Sequence, residues 1–255
     1  MNSQSVAVSD SGKETLPRKI VSSHNWLVHK IIAENIRVFS RLYAKGRLVD
    51  IGCGRKPWLS FFEPYVDEYI GVDHAETLHD VNAADIVADA YNTTLPDEFA
   101  DTVVSLAVLE HLEDPGGAIT EMARLLKPSG YLILTAPMFW HEHEAPRDFF
   151  RYTQYGLKHL LESANLEVLQ IKPLSGFYVT FIQEYCYILQ PHSQRWGIGG
   201  LVKFLIYLLQ RVAYACRHWD RKTGFAWMHL AVAMKPSSQE CRGDEFLSEV
   251  AATNE

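Results

Sequence analysis

Residues 48–54 read Leu48-Val49-Asp50-Ile51-Gly52-Cys53-Gly54, an apolar strand that runs straight into a turn with glycine at alternate positions. Leu48, Val49 and Ile51 suit a strand buried on both faces, the habit of parallel sheets sandwiched between helices. Two glycines spaced this way let the backbone take dihedrals that other residues resist and lie against a bound molecule. A lone Gly-x-Gly is a weak signal, but nineteen residues after Gly54 a second apolar segment, 69–72, ends in Asp73. A carboxylate there can accept hydrogen bonds from both hydroxyls of a ribose. The spacing therefore predicts strand, turn, helix, strand and acid, the layout of a nucleoside site. A nicotinamide dinucleotide would ask for a third glycine where Pro57 stands, to let helix and strand pack closely over a pyrophosphate, so that rival is disfavoured.

These residues resemble those of class I S-adenosylmethionine-dependent methyltransferases. Residues 49–54 look like the first motif of that family, and Val72-Asp73 looks like the acidic end of its second strand. Further matches follow in order: Asp89-Ala90 after a short third strand, then 100–112 with Leu109-Glu110-His111-Leu112, then 125–134 with Lys127-Pro128-Ser129-Gly130. The resemblance covers 46–137 and implies an α/β, Rossmann-like class I methyltransferase fold. In that fold a mostly parallel seven-stranded sheet carries helices on both faces, here with an apolar helical insertion before the last strand. The resemblance also implies S-adenosyl-L-methionine as cofactor. Gly52, Cys53 and Gly54 would contact it through backbone, with Asp50 supporting the turn or the cofactor's ammonium. Asp73 would take the ribose hydroxyls, Asp89 and Ala90 the adenine edge, and Leu106 would flank the reactive end. Taken alone, the glycines also fit a plain turn and Asp89 an exposed loop acid. Cys53 is expected to act through its backbone, without thiol chemistry.

A chain of 255 residues fits one α/β domain. We expect that domain at 21–235, between disordered tails at 1–20 and 236–255 that are rich in Ser, Glu and Asn. The formal charge of −7 offers no electrostatic ground for a phosphate-rich partner, so nucleic acid is not expected. Cys53, Cys186, Cys216 and Cys241 stand far apart with no Cys-x-x-Cys pair. That pattern predicts neither a zinc cage nor a disulfide framework and fits a reducing, cytoplasmic setting. The polar start of the chain lacks the basic and apolar runs of a signal peptide.

Apolar residues at Leu27, Ile31, Ile32, Ile36, Val38, Phe39 and Leu42 predict a helix over 25–44, expected to cover the cofactor's entrance or the sheet edge. Strands are then expected at 47–51, 69–73, 85–88, 101–106 and 130–135, with helices at 56–65 and 115–127. A helix at 153–164, a strand at 166–171 and a closing strand at 225–234 follow, the two strands forming the family's terminal antiparallel hairpin by resemblance. The block 177–219 is the most apolar part of the chain, yet its longest strong run, 201–209, contains Lys203 and is well short of the ~20 residues that span a bilayer. On a helical wheel Lys203, Tyr207, Gln210, Tyr214 and Arg217 share one stripe, with Leu201, Leu205, Leu208, Leu209 and Val212 mostly off it. Three uses fit: a cap with its apolar side against the core, a peripheral contact at the inner face of a membrane, or a partner or homodimer surface.

Directly after the fifth strand comes 140–153, Trp-His-Glu-His-Glu-Ala-Pro-Arg-Asp-Phe-Phe-Arg-Tyr-Thr. Its His-Glu-x-Pro-x-Asp-Phe-x-Arg-Tyr-Thr stretch narrows the resemblance to methyltransferases of small-molecule and cell-surface glycan or lipid pathways. It implies transfer to oxygen or nitrogen of a small-molecule, glycan or lipid-linked acceptor. Open α/β sheets bind ligands at the carboxyl ends of their strands, and a hydroxyl or amine acceptor must lose a proton. His141, His143 and His111 are thus the candidate bases, and Arg147, Asp148, Arg151 and Tyr152 the candidate acceptor contacts. The alternative is that Arg147, Asp148 and Arg151 pair to fix the loop while Thr153 caps the next helix. His141-x-His143 lacks a third ligand at a convincing spacing, so no metal is expected. A rival function is a non-catalytic cofactor-binding scaffold or regulatory subunit that binds a partner through 177–219.

Overall fold

The computed structural model describes residues 24–77, 81–195, 197–220 and 223–237. The tail expected at 1–20, and that at 236–255 beyond Ser237, lie outside them. Strands β1 (Arg47–Ile51), β2 (Glu68–Asp73), β3 (Ile86–Val87), β4 (Ala100–Leu106) and β5 (Leu126–Pro137) run parallel. β7 (Met228–Met234) lies antiparallel between β5 and β6 (Glu167–Pro173), so the order is β3-β2-β1-β4-β5-β7-β6. This is the expected Rossmann-like sheet with its antiparallel hairpin. β1 shows why its residues are apolar on both sides: Val49 and Ile51 enter the core on one face and Leu48 the core on the other.

Helices α1 (Trp26–Tyr43), α2 (Leu59–Phe62), α3 (Pro115–Leu125), α4 (Gln154–Ser163), α5 (Phe177–Leu189) and α6 (Gly199–Cys216) cover the two faces. Ile119 and Met122 of α3 and Leu157 and Leu161 of α4 fill one core. Leu27, Ile31 and Ile36 of α1 fill the other, against Leu48, Val104, Ile133 and Val232. α1 therefore lies across the middle of the sheet, whereas its sequence suggested an edge or an entrance; Val38 and Leu42 face solvent.

The expected helix at 56–65 starts only at Leu59, because Lys56 is left-handed (φ 53°) and Pro57 follows it. The strand at 85–88 is two residues long, and β7 begins at Met228 behind a 3-10 turn, Thr223–Phe225. β5 starts early, at Leu126, which pairs with Ala100 across a break in register.

The insertion forms α5 and α6, joined through a 3-10 turn, Gln190–Gln194. The buried stripe of α6 is Ile206, Gln210 and Ala213, and the leucine stripe faces outward. The leucine side of α6 is therefore not what meets the core, although Val179 of α5 and Ala213 of α6 do join it. Gln210 Oε1 accepts from Leu27 N (2.9 Å), and the Tyr214 hydroxyl donates to Glu34, so polar contacts with α1 choose which face turns in. The helical stretch Gly199–Trp219, 21 residues, is long and apolar enough to cross a bilayer by length and composition, which the 201–209 run alone did not suggest.

Candidate active site

The turn after β1 is built by its glycines. Gly52 (φ 76°) and Gly54 (φ 51°) are left-handed, and a side chain at Gly52 would strike that of Val108, just beyond β4. Gly52 N and Cys53 N both donate to Val72 O (2.9 and 3.1 Å), which fastens the turn to β2. Gly54 N donates to Asp73 Oδ2 and His74 N to Asp73 Oδ1, both at 2.8 Å. The acid at the end of β2 is thus aimed at the glycine turn, and each of its oxygens retains a lone pair for a ligand.

Asp50 is 3% exposed, and burial raises its pKa to about 7 although the Tyr69 hydroxyl donates to it. Cys53 is buried, and the same desolvation pushes its thiol up to about 12, so the residue enters the site through backbone. Asp89 Oδ1 accepts from Tyr91 N (3.0 Å), while Oδ2 lies 4.0 Å from His74 Nε2. Ala88 N donates to Asp73 O (3.0 Å), which brings Asp89 to the Asp73 side of the turn. Ala90 packs half-buried on the α3 side, and Leu106 half-buried on the α1 side at the end of β4.

Beyond β4 the 3-10 turn Leu109–His111 meets the loop that follows β5. His111 Nδ1 lies 2.5 Å from Arg147 O, and a carbonyl can only accept, so Nδ1 carries a proton there, leaving Nε2 for other partners. That Nε2 faces Glu144 Oε2 at 3.6 Å and Glu110 Oε1 at 3.9 Å. The His143 ring lies 4.8 Å from that of His111. Burial, with His111 beside it, lowers the pKa of His143 and keeps the ring neutral. Glu110 is 1% exposed with no partner for Oε2, and burial raises its pKa to about 8. His141 packs on Tyr187 (ring centroids 4.4 Å) and places Nδ1 3.3 Å from Glu184 Oε2. All three candidate histidines therefore gather at one end of the sheet.

The acceptor-contact residues divide. A guanidinium has five N–H donors, and those of Arg151 reach both oxygens of Asp148 and the carbonyls of Trp140, His141 and Phe150, at 2.6–3.2 Å. Asp148 also accepts from His143 N (2.8 Å), and Arg151 holds its carboxyl well below the usual range. Tyr152 is buried, its hydroxyl donating to Leu109 O (2.8 Å). These three make the loop's own frame, which leaves no Arg151 donor for an acceptor. Arg147, half-exposed and paired with Glu76 at 2.6 Å, remains open to one.

Sequence reading gave no role to Glu110, Tyr69 or Glu184. Period and spacing cannot show that an acid after a strand is buried. The structure does not complete His141-x-His143 as a metal pair; instead Glu110, His111 and His143 place three ligand-capable atoms within 4.8 Å of one another, a grouping that could hold a metal ion.

A model of the methyltransferase-domain family matches residues 26–171. An Arabidopsis thaliana tRNA (carboxymethyluridine(34)-5-O)-methyltransferase is 34% identical over 95 residues, 34% of this chain and 23% of that protein. A Mycolicibacterium smegmatis protein named a probable S-adenosylmethionine-dependent methyltransferase is 25% identical over 170 residues, 62% of this chain and 65% of that protein. The chain thus spans less than two thirds of either relative. Among solved structures, the cyclase SpnF is similar with a TM-score of 0.55 at 20% identity, covering 81% of this chain and 80% of that one, a likeness of fold. One relative is a tRNA methyltransferase by name, so the expected exclusion of nucleic acid finds no support among them.

Proposed function

The chain belongs to the methyltransferase-domain family, matched over 26–171, and from that premise we propose that it binds S-adenosylmethionine and moves its methyl group to oxygen or nitrogen of a small-molecule, glycan or lipid-linked acceptor. One juxtaposition carries the reading: Asp73 is bonded to Gly54 N, and the Gly52 turn abuts Val108, three residues before His111 and its neighbour His143. Cofactor cradle and acid–base cluster share one wall.

When bound, S-adenosylmethionine supplies a methyl group activated on a sulfonium; the O–C or N–C bond forms as the S–C bond breaks, sulfur leaves as a thioether, and the acceptor's proton goes to a base. The left-handed glycines and the free lone pairs of Asp73 suit the cofactor's nucleoside and amino-acid parts. Asp89 and Ala90 would hold the adenine edge and Leu106 would flank the reactive end. His143, kept neutral by burial, accepts the proton, with the His111 ring next to it. The remaining demand is alignment of two reactants away from water, which the clamped loop serves.

Calorimetry and turnover test this together. Asp73→Ala should weaken S-adenosylmethionine binding by about 30-fold or more, the equivalent of two charge-assisted hydrogen bonds. With labelled cofactor and host extracts supplying acceptors, His143→Ala should lose roughly 10²–10⁴-fold in turnover at near wild-type cofactor affinity. Stoichiometric binding with no transfer to any acceptor would favour the scaffold reading instead.

A further inference from the structure

We propose that the outward face of α6, with the adjoining side of α5, docks on an anionic phospholipid surface with α6 lying in the plane of the membrane. This stands apart from the reaction assigned above. Leu201 is 71% exposed, Phe204 60% and Trp219 83%, and Leu208 and Val212 lie on the same side of the helix. Tyr178, Tyr185 and Ile188 of α5 add further exposed apolar surface beside it. A soluble helix turns its leucine stripe inward. Here the inward stripe is Ile206, Gln210 and Ala213, held by the Gln210–Leu27 and Tyr214–Glu34 contacts and by Arg211 stacked 3.7 Å over the Trp26 ring. The exposed leucines are therefore not a loose core face.

Charge selects the occupant. The chain carries −7 overall, yet from 185 to 219 it has Arg195, Lys203, Arg211 and Arg217 and no acid. The acids that bound the stretch are turned inward, Glu184 toward His141 and Asp220 onto Val179 N (2.8 Å), while Glu34 of α1 meets Arg217 at 3.9 Å, which leaves Arg195, Lys203 and Arg211 as the patch's cations. Exposed Arg195, Lys203 and Arg211 around an apolar stripe, with tryptophan and tyrosine at its margins, match the headgroup and acyl layers of an anionic leaflet. A second copy fits poorly, because a two-fold interface sets the same patch against itself and this patch offers no acid to meet its cations. The helix is long enough to span a bilayer, but spanning would break its contacts with α1. Glu184, one helical turn from exposed Ile188 on α5, reaches His141 in the loop after β5, so a docked protein would hold that loop near the lipid surface.

Co-sedimentation of the full chain with vesicles decides the matter. It should bind phosphatidylcholine vesicles containing phosphatidylglycerol at low salt, and bind pure phosphatidylcholine far less. Lys203→Ala should lower the partition about fivefold. Leu201→Ser with Phe204→Ser and Leu208→Ser, all exposed positions, should abolish binding while unfolding curves stay near wild type. Trp219 emission should shift to the blue on docking, a signal absent in Trp219→Phe. No binding at low salt, or binding untouched by the triple variant, overturns the proposal. So does a vesicle-free dimer that the triple variant dissociates, which would give the face to a second copy. Membrane protein that resists alkaline carbonate would show a span, and overturns it likewise.

Discussion

Glu110 shows how one buried carboxyl can mark a site that spacing does not. Its neighbours are the His111 ring and the clamped loop, and desolvation, the largest influence on it, moves its pKa to about 8. In the unfolded chain a glutamate titrates near ~4.3. Between those values the native state holds a proton that the unfolded state has released, so this group's contribution to stability falls as pH rises through that window. The slope is on the order of 1.4 kcal/mol per pH unit. Glu110→Gln should remove that slope, so wild type should lose ground to the variant in urea unfolding between about pH 5 and about pH 8. Parallel stability curves would mean that Glu110 ionises normally. Asp148 acts in the opposite sense: its depressed pKa gives stability present above the ordinary carboxylate range and lost on acidification.

Among elements, α4 shows a local signal that survives into the fold. Thr153 Oγ1 accepts from Gly156 N at 3.1 Å and starts the helix that sends Leu157 and Leu161 into the core. Thr153→Ala should cost about 1 kcal/mol and Thr153→Ser much less, read from denaturant midpoints at unchanged slope. An effect that is equal for both substitutions would point to packing of the methyl group instead of the cap. α6 shows the opposite case. Its period announces a helix with two unlike faces, but a period is indifferent to which face turns inward. That choice fell to Glu34 and Leu27 of α1, more than 170 residues away, whose polar groups bond Tyr214 and Gln210.

Across the whole molecule the sheet sets a gradient of stability. β2, β1, β4, β5 and β7 have strands on both sides, whereas β3 and β6 are edges and β3 has only two residues. Amide exchange read by mass spectrometry should be slowest in β1, β4 and β7, at the limit of global unfolding, and faster by orders of magnitude at Ile86–Val87. Uniform protection would show that the sheet opens only as a unit.

The succession of strands and helices along the chain, the glycine turn and Asp73 were legible in the sequence, while the sheet that they build was implied by the family resemblance. Each rests on local rules: backbone freedom at Gly52 and Gly54, burial on both faces of 48–51, and right-handed crossovers of limited length. The histidines of the site were legible as a group, because the loop after β5 must fall at the ligand-binding end of the sheet. What only the tertiary structure decided is how partners apart in sequence share their bonds. Arg151 spends its donors on Asp148 and main-chain carbonyls, Tyr152 closes onto Leu109, Glu110 loses its water, and α6 turns Ile206, Gln210 and Ala213 inward. Desolvation and hydrogen-bond satisfaction depend on every group within a few ångströms, and the sequence lists neighbours along the chain alone.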